Sequence, residues 1–590
     1  MKPNNIKQMR ILKTILAIAY IIGVTSCNEL DLASLDKANS ESWYAKQDHY
    51  RYSLNDLYRN TFFKKPSDTW SDDYTIRTNG NTVKNGTVDS EWGDAATYWA
   101  HLYKGVSRAN TVIAELEAKG EVLGEDVRNQ FMGEAEFMKA SFYGQLIYFF
   151  GDVPFFDKNI SIDESYTVAR TDLNTVKGKV YELFDRAAAK LPASYEGAIY
   201  ATKGAALAYK ARTALYLGDY EVAKTAAKAC IDLGVYSLHN DFADLFFSKT
   251  KVSSEFIFTF PRSNDLDIRV GINTYIPRNH PSGYAQTHPT WNLLASAYCT
   301  DGLPVDESPL FDPHNPFMNR DPRLLATIIP FGKLKADDDR TPESGTNFYG
   351  IEFNTHPLAR QVMNYNENKM IVNKDTRSIG AYASFNGLVR SKGCDEEWLD
   401  DRKTETADIA CRYAEVLLTY AEAKIELNEI DDSVLEVLNS LRERGYAGSG
   451  VNYPVIATKD QGKLRLIVRN ERRIELAFEG MRYMDLIRWQ LAEKALVGNN
   501  YGLAKINQQP DLSKPVTGDM ITNVIEPGHW FWGITPEIDN DGLPNFQALD
   551  DAGMCSILSV MEFDKTRQYL FPIPNSNRKL NPELTQNPGY

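Results

Sequence analysis

Along this chain, stretches in which apolar residues return every three or four positions alternate with stretches that have no period at all. From about Trp43, the residues Tyr50, Leu54, Leu57, Tyr58 and Phe62 keep helical spacing. Residues 64–93 then break up around Pro66, three glycines and many Asp, Asn and Thr. The helical period returns at Trp99, Leu102, Tyr103, Val106, Ala109 and Ile113, which predicts Trp99 and Tyr103 as core residues on one helix face. It continues through Val127, Phe131, Ala135, Met138, Phe142, Leu146 and Phe149, and Gly151 with Pro154 predicts the stop.

A repeat follows. Ala205, Ala208, Ala211, Ala214 and Leu215 form a small-residue face, Leu217-Gly218-Asp219-Tyr220 a turn, and Ala223, Ala226, Ala227 and Ile231 a second face. Small side chains let paired helices approach closely and Gly218 permits the tight turn, so the unit is tetratricopeptide-like. The arrangement recurs from Tyr413 to Arg444, with Val416, Leu417, Tyr420 and Ala421, a turn at Asn428 to Asp432, then Val434, Leu438 and Leu441. Two looser helix pairs, 97–149 and 462–493, complete a predicted scaffold of about four pairs. Residues 250–405 are irregular and rich in Pro, Gly, Asn and aromatics, which predicts a loop-rich functional subdomain laid on the helices. The tail from Pro510 is similar, with an aromatic run at Trp530-Phe531-Trp532.

The N-terminus has its own pattern. Lys2, Lys7, Arg10 and Lys13 precede the apolar run from Ile15 to Val24, and small residues lead to Cys27. This is a secretory signal, and its ending at a cysteine resembles a bacterial lipoprotein signal in which Cys27 becomes the lipidated first residue. The apolar run is too short to span a bilayer, and no later segment approaches 18 consecutive apolar residues. The expected divisions are therefore 1–26 signal peptide, 27–42 lipid tether, 43–249 N-terminal helical region, 250–405 loop-rich ligand-binding region, and 406–590 C-terminal helical region and tail.

Composition narrows the function. A net charge of −14 argues against a nucleic-acid partner, which would need an excess of Lys and Arg to neutralise phosphates. Tyrosine is abundant, at 32 residues beside 9 Trp, which suits a binding face built from rigid amphipathic rings. After Cys27 the cysteines are Cys230, Cys299, Cys394, Cys411 and Cys555, odd in number and widely spaced, so neither a disulfide framework nor a zinc site is predicted. Cys230 and Cys411 lie in helical patterns and read as buried apolar residues.

Chemical motifs are few. Glu471, Glu475 and Glu479 recur every four residues, as paired catalytic carboxylates could, but Arg472, Arg473 and Arg482 are interleaved, which predicts a structural ion-pair network. Glu537-x-Asp539-x-Asp541-Gly542 imitates the start of a calcium loop, yet Ala548 stands where a bidentate Glu is required, so a solvated acidic turn is expected. Phosphate-loop and serine-hydrolase motifs are missing. No catalytic residue, metal site or cofactor is assigned.

Several blocks together carry a family resemblance: Trp99-x3-Tyr103-x6-Asn110, Gly133-Glu134-Ala135-Glu136-Phe137, Phe150-Gly151-Asp152-Val153-Pro154, Asn319-Arg320-Asp321-Pro322-Arg323, Arg412-Tyr413-Ala414-Glu415, Glu471-Arg472-Arg473-Ile474-Glu475-Leu476, Glu479-Gly480-x-Arg482, and the ending Phe571-Pro572-Ile573-Pro574 to Gly589-Tyr590. In this order the chain resembles the SusD/RagB family of Bacteroidetes outer-membrane nutrient-binding lipoproteins, nearly end to end. The resemblance implies a non-catalytic, lipid-anchored protein facing the cell exterior, a SusC-like TonB-dependent transporter as partner, and an oligosaccharide or polysaccharide ligand. It also implies that the tetratricopeptide-like helices face the transporter and the loop-rich half presents the ligand site.

A sugar ring has apolar faces and a hydroxyl rim, so its site needs flat aromatics beside Asp, Asn or Arg. In the family's starch-binding member the aromatics come from two regions. One precedes the Trp99 helix, and here offers Trp70, Asp72, Asp73, Tyr74, Arg77, Asn79 and Trp92. The other precedes Pro289-Thr290, and here offers Tyr275, Asn279, His280, Tyr284 and His288. Trp70 and Tyr284 are the preferred stacking residues, Trp291 is expected in the core, and Asp375 and Arg377 are further polar candidates. Peptide capture, as in some relatives, remains an alternative, as do a glycan-degrading hydrolase or lyase and a periplasmic tetratricopeptide scaffold.

Overall fold

The computed structural model describes residues 43–77, 81–196, 200–332, 334–335 and 338–590. Cys27 with its signal and tether, and Asn79, lie outside those residues. The chain forms a helical scaffold on which short strands and loops are mounted. Its longer helices, among the described residues, are α1 (Gln47–Asn55), α2 (Gly93–Lys119), α3 (Glu125–Phe150), α4 (Leu173–Lys190), α5 (Lys203–Tyr216), α6 (Tyr220–Ile231), α7 (Tyr413–Glu426), α8 (Asp432–Tyr446), α9 (Gln461–Glu475) and α10 (Arg482–Arg488).

Neighbours along the chain are neighbours in space from α2 to α6; α7 then packs on α6 and carries α8 and α9. The repeat therefore runs unbroken across the loop-rich insertion. Small residues make this close stacking possible. A Cβ at Gly105 would lie 2.7 Å from the Phe142 ring, and one at Gly144 would lie 2.9 Å from the Thr213 hydroxyl. Gly218, at φ +72°, makes the α5–α6 turn. Side-chain caps start the helices: Asp172 for α4, Thr202 for α5, Asp431 for α8 and Asp460 for α9. Helix α4 was not anticipated from the sequence, although Val176, Val180, Leu183, Phe184 and Ala187 form its buried face.

One core fills the N-terminal helices and takes in Tyr483 and Phe571 from the C-terminal part. A second lies under the loop-rich region around Trp291, Trp398 and the Trp530-Phe531-Trp532 run, and a third between α7, α8 and α9. Cys230, Cys299, Cys394 and Cys411 are free and buried, and Cys555 is half-buried. Cys411 departs from its expected helix: it lies on the strand Asp408–Arg412, opposite Phe258 of Phe256–Phe260. That strand pair leads directly into α7. Within the loop-rich part, the strands Thr346–Phe348, Ile351–Phe353, Gln361–Asn364 and Lys369–Val372 form a four-stranded sheet in sequence order. Among the described residues, no helix is long and apolar enough to cross a membrane.

Candidate functional site

The two loop regions expected to supply the ligand site meet through a short antiparallel ladder in which Tyr74–Ile76 pairs with Thr287–Pro289. Main-chain bonds extend it at both ends: the Arg77 N–H donates to the Gln286 carbonyl at 2.7 Å, and the Thr290 N–H to the Asp73 carbonyl at 2.9 Å. One end of this ladder reaches solvent and the other runs into the scaffold. That difference sorts the candidate residues.

At the solvent end, one Arg77 nitrogen donates to the carbonyls of Tyr284 at 2.7 Å and Tyr382 at 2.6 Å, and its guanidinium lies 5.1 Å from the Tyr382 ring centre. Both tyrosine rings stand in water, Tyr284 at 46% exposure and Tyr382 at 59%. Partial burial, reinforced by Arg278 nearby, lowers the pKa of the Arg77 guanidinium from its usual value. Beneath Tyr284, the Asp375 carboxylate accepts the main-chain N–H groups of Arg278 at 2.6 Å and Asn279 at 3.2 Å. Burial pushes this carboxyl up to about 7, against the lowering effect of those two N–H bonds. The Asn279 amide donates to Asn373 Oδ1 at 2.9 Å. Arg377 lies 4.5 Å from the Phe385 ring centre and donates to the Leu503 carbonyl at 3.0 Å; burial lowers it to about 10. This end of the ladder thus carries two exposed tyrosines whose main-chain carbonyls share one Arg77 nitrogen, with the buried Asp375 carboxylate holding the neighbouring 278–279 main chain.

At the other end the expectation is corrected. Trp70, a preferred stacking residue, is only 5% exposed, enclosed by Trp92, Tyr98, Tyr483 and Phe571 at ring-centre distances of 5.2, 6.3, 5.6 and 5.9 Å. Trp92 is buried in the same cluster, 4.9 Å from Phe571. Neither offers a free face to a ligand. Asp72 and Asp73 are also buried, committed to Arg473 and Arg482 through contacts of 2.6 to 2.9 Å. Burial alone would raise the Asp72 carboxyl, but the two guanidiniums outweigh it and hold it well below the usual range. In the second region Tyr275 is half-buried under the Arg390 guanidinium at 4.6 Å, while His280 and His288 are buried. Trp291 is in the core, as expected, its indole N–H donating to the Asn386 carbonyl at 2.8 Å.

Glu471 and Glu475 of α9, with Glu479 in the turn beyond the helix end, form an ion-pair network whose partners are other than those their spacing suggested. Glu471 pairs with Arg323 and Arg442, Glu475 with Arg323, Arg412 and Arg444, and Glu479 with Arg412 and Lys392. These arginines come from other elements, while Arg472 turns to Asp485 at 3.0 Å and Arg473 and Arg482 turn to the 72–73 loop. The network fastens the loop-rich region to the scaffold. In the acidic turn, Asp541 pairs with Lys494 and Arg469, and Asp539 accepts two main-chain N–H groups at 2.8 Å. Among the described residues, no group of three or more His, Cys, Asp or Glu is placed to hold a metal.

Sequence reasoning missed Tyr382. Its signal was present, an aromatic between two alanines just after Gly380 in the aperiodic stretch, but nothing local distinguishes it from other loop tyrosines.

A helical-repeat scaffold presenting exposed loop aromatics is a ligand-presenting architecture, and comparison with known proteins gives its lineage. The family model described as "SusD family" matches residues 254–590, more than half of the chain, and a second, "Starch-binding associating with outer membrane", matches residues 31–217. The chain belongs to the SusD family. Among curated proteins it is similar to SusD-like protein P2 of Formosa agariphila, 26% identical over 432 residues that span 71% of this chain and 76% of the relative. Among solved structures it is similar in fold to a SusD-like carbohydrate-binding protein of Bacteroides fragilis, with 24% identity, a TM-score of 0.71, and coverage of 92% of this chain and 100% of that one. It also resembles a laminarin-binding SusD-like protein, with 17% identity, a TM-score of 0.58, and coverage of 93% and 100%.

Proposed function

We propose that this protein is a lipid-anchored glycan binder on the outer-membrane surface that captures oligosaccharides and passes them to a SusC-like TonB-dependent transporter. It acts by binding, without turnover. The observation that carries this reading is the pair of exposed tyrosines, Tyr284 and Tyr382, whose main-chain carbonyls are bridged by one Arg77 nitrogen on the loop-rich face. The carbohydrate binding of one solved relative and the laminarin binding of another support it, as does the outer-membrane association of the family matched by residues 31–217. Clustering many tethered copies near a transporter mouth raises the local oligosaccharide concentration, so weak stacking at each copy suffices.

A glycan array followed by titration calorimetry tests the reading. Saturable binding of at least one oligosaccharide, weakened by Tyr284→Ala and by Tyr382→Ala, is expected. Binding unaffected by both substitutions would move the site elsewhere, and shorter sugars appearing on prolonged incubation would make the protein an enzyme. Cys27→Ala should release the protein from the membrane, and co-purification from native membranes should recover a TonB-dependent barrel.

A further inference from the structure

We infer that Asp375 is the positioning residue of the aromatic platform: its buried carboxylate ties the loop carrying Tyr284 to the loop carrying Tyr382. This rests on the platform being the ligand surface, and adds which residue sets its geometry. Further along, Asn386 links the two segments through the Pro289 carbonyl and the Trp291 indole; next to the tyrosines themselves, the loops are joined by Arg77 and by Asp375 with its neighbours. Arg77 bridges the Tyr284 and Tyr382 carbonyls from the solvent side through a single nitrogen. The opposite side is closed by Asp375, whose two oxygens each accept one main-chain N–H, from Arg278 at 2.6 Å and Asn279 at 3.2 Å.

The junction is reciprocal. The Asn279 amide oxygen accepts the Lys374 N–H at 2.7 Å, and its nitrogen donates to Asn373 Oδ1 at 2.9 Å. Asn373 is in turn held to the Asn354 and Ala359 carbonyls at 2.8 and 2.6 Å, which anchors the junction near the four-stranded sheet. From the junction, each tyrosine is reached by a stiff turn. Arg278 donates to the Gly283 carbonyl at 2.6 Å, beside Tyr284. The turn toward Tyr382 passes Gly380, where any Cβ would lie 2.1 Å from the Lys374 carbonyl oxygen. A displacement at Asp375 is therefore transmitted to both rings.

The chemistry explains a carboxylate here. Two N–H groups converge on one side chain, and only an ionised carboxylate offers them two oxygens with no hydrogen of its own. An amide, or a protonated carboxyl, sets a hydrogen on one of the two positions. The charged groups acting on Asp375 are Arg278 from the Tyr284 loop and Lys374 from its own chain. Arg377 points instead to Phe385 and the Leu503 carbonyl, and His280 packs on Trp398 and Phe348. With burial pushing the carboxyl up to about 7, the junction changes protonation near neutral pH.

The sign has two parts. The fully bonded junction exists above about 7 and weakens as pH falls through that value, so platform order rises with pH. Because the folded value lies above the ordinary 3.8, this group's contribution to fold stability runs the other way: it is complete below 3.8 and lost as pH rises through about 7. A purely structural residue would move binding and stability together.

The test is amide hydrogen exchange by mass spectrometry on the ligand-free protein, corrected for intrinsic rates, at about pH 8.5 and about pH 5.5. In the unaltered protein, the Arg278 and Asn279 amides should be protected about tenfold more at the higher pH. In Asp375→Asn that protection should be low at both values, while amides of α2 exchange as before. For the oligosaccharide that binds most tightly on the array, affinity should weaken as pH falls from about 8.5 to about 5.5 in the unaltered protein and be flat in Asp375→Asn. Equal protection in the two proteins at both pH values overturns the inference. If Asp375→Asn alters exchange as expected but Tyr284→Ala and Tyr382→Ala leave binding unchanged, the platform reading fails instead.

Discussion

Residues 70–92 and 275–291 approach each other across one strand ladder, and both carry aromatics next to polar side chains, yet they meet opposite fates. The rings of the first are sealed. Trp70 and Trp92 sit under Tyr483 and Phe571, brought from the far end of the chain, and Asp72 and Asp73 are spent on Arg473 and Arg482. In the second, His280, His288 and Trp291 also turn inward, but Tyr284 stays at the rim, its main chain held by Arg77 and Asn273 while its side chain remains exposed. The chemistry of the two segments is alike; what differs is the cover. An aromatic stays open to water when no later segment comes back over it.

That contrast can be broken from either side. Trp70→Ala should cost about 3–5 kcal/mol by emptying the sealed cluster, read as a drop in urea midpoint, with affinity unchanged in the protein that still folds. Arg473→Ala should cost a similar ~3–5 kcal/mol, because it leaves Asp72 and Asp73 buried with one cation fewer. An urea midpoint within error of the unaltered protein in either variant would show that the sealed end is not the scaffold's fastening.

Acid should act on the same end. Burial alone would raise Glu479, but Arg412 and Lys392 hold it down to about 2, below its ordinary 4.5. Its stabilising contribution is therefore present above 4.5 and lost as pH falls toward about 2, opposite in sign to Asp375. Thermal scans across that range should show the loss, and Glu479→Gln should flatten it.

At the rim the effects are smaller and concern binding. Tyr284→Ala or Tyr382→Ala should lose about 0.5–1.5 kcal/mol of ligand affinity by calorimetry, with stability changed by no more than about 0.5 kcal/mol. The smallest effect is expected for Arg77→Lys. An ammonium keeps the charge but loses the planar fork facing the Tyr382 ring, so affinity should weaken by less than either tyrosine truncation.

The scaffold was legible because its signal is periodic. The α3 face from Phe131 to Phe149 and the alanine ladders of α5 and α6 mark helices wherever they are read. Helix α4 was overlooked although its apolar spacing is of the same kind, and Cys411 was given the wrong element because a five-residue strand running into α7 borrows the helix's period. Of the candidate residues, Tyr284 stays exposed with Arg77 on its carbonyl, whereas Trp70, Trp92, Asp72 and Asp73, offered as ligand contacts, are buried. The glutamates of α9 were rightly read as structural, but their cations arrive from Arg323, Arg412, Arg442 and Arg444 and not from the interleaved arginines.

Local sequence was enough for the helical repeat, for the loop-rich character of residues 250–405 and, through ordered blocks spread along the chain, for the family. Those properties depend on spacing and turn residues, which act over a few positions. Only the tertiary structure decided which aromatics face water and which carboxylates are spent. That depends on segments hundreds of residues away, such as Phe571 closing over Trp70 and Arg473 reaching Asp72, and no local pattern carries such contacts.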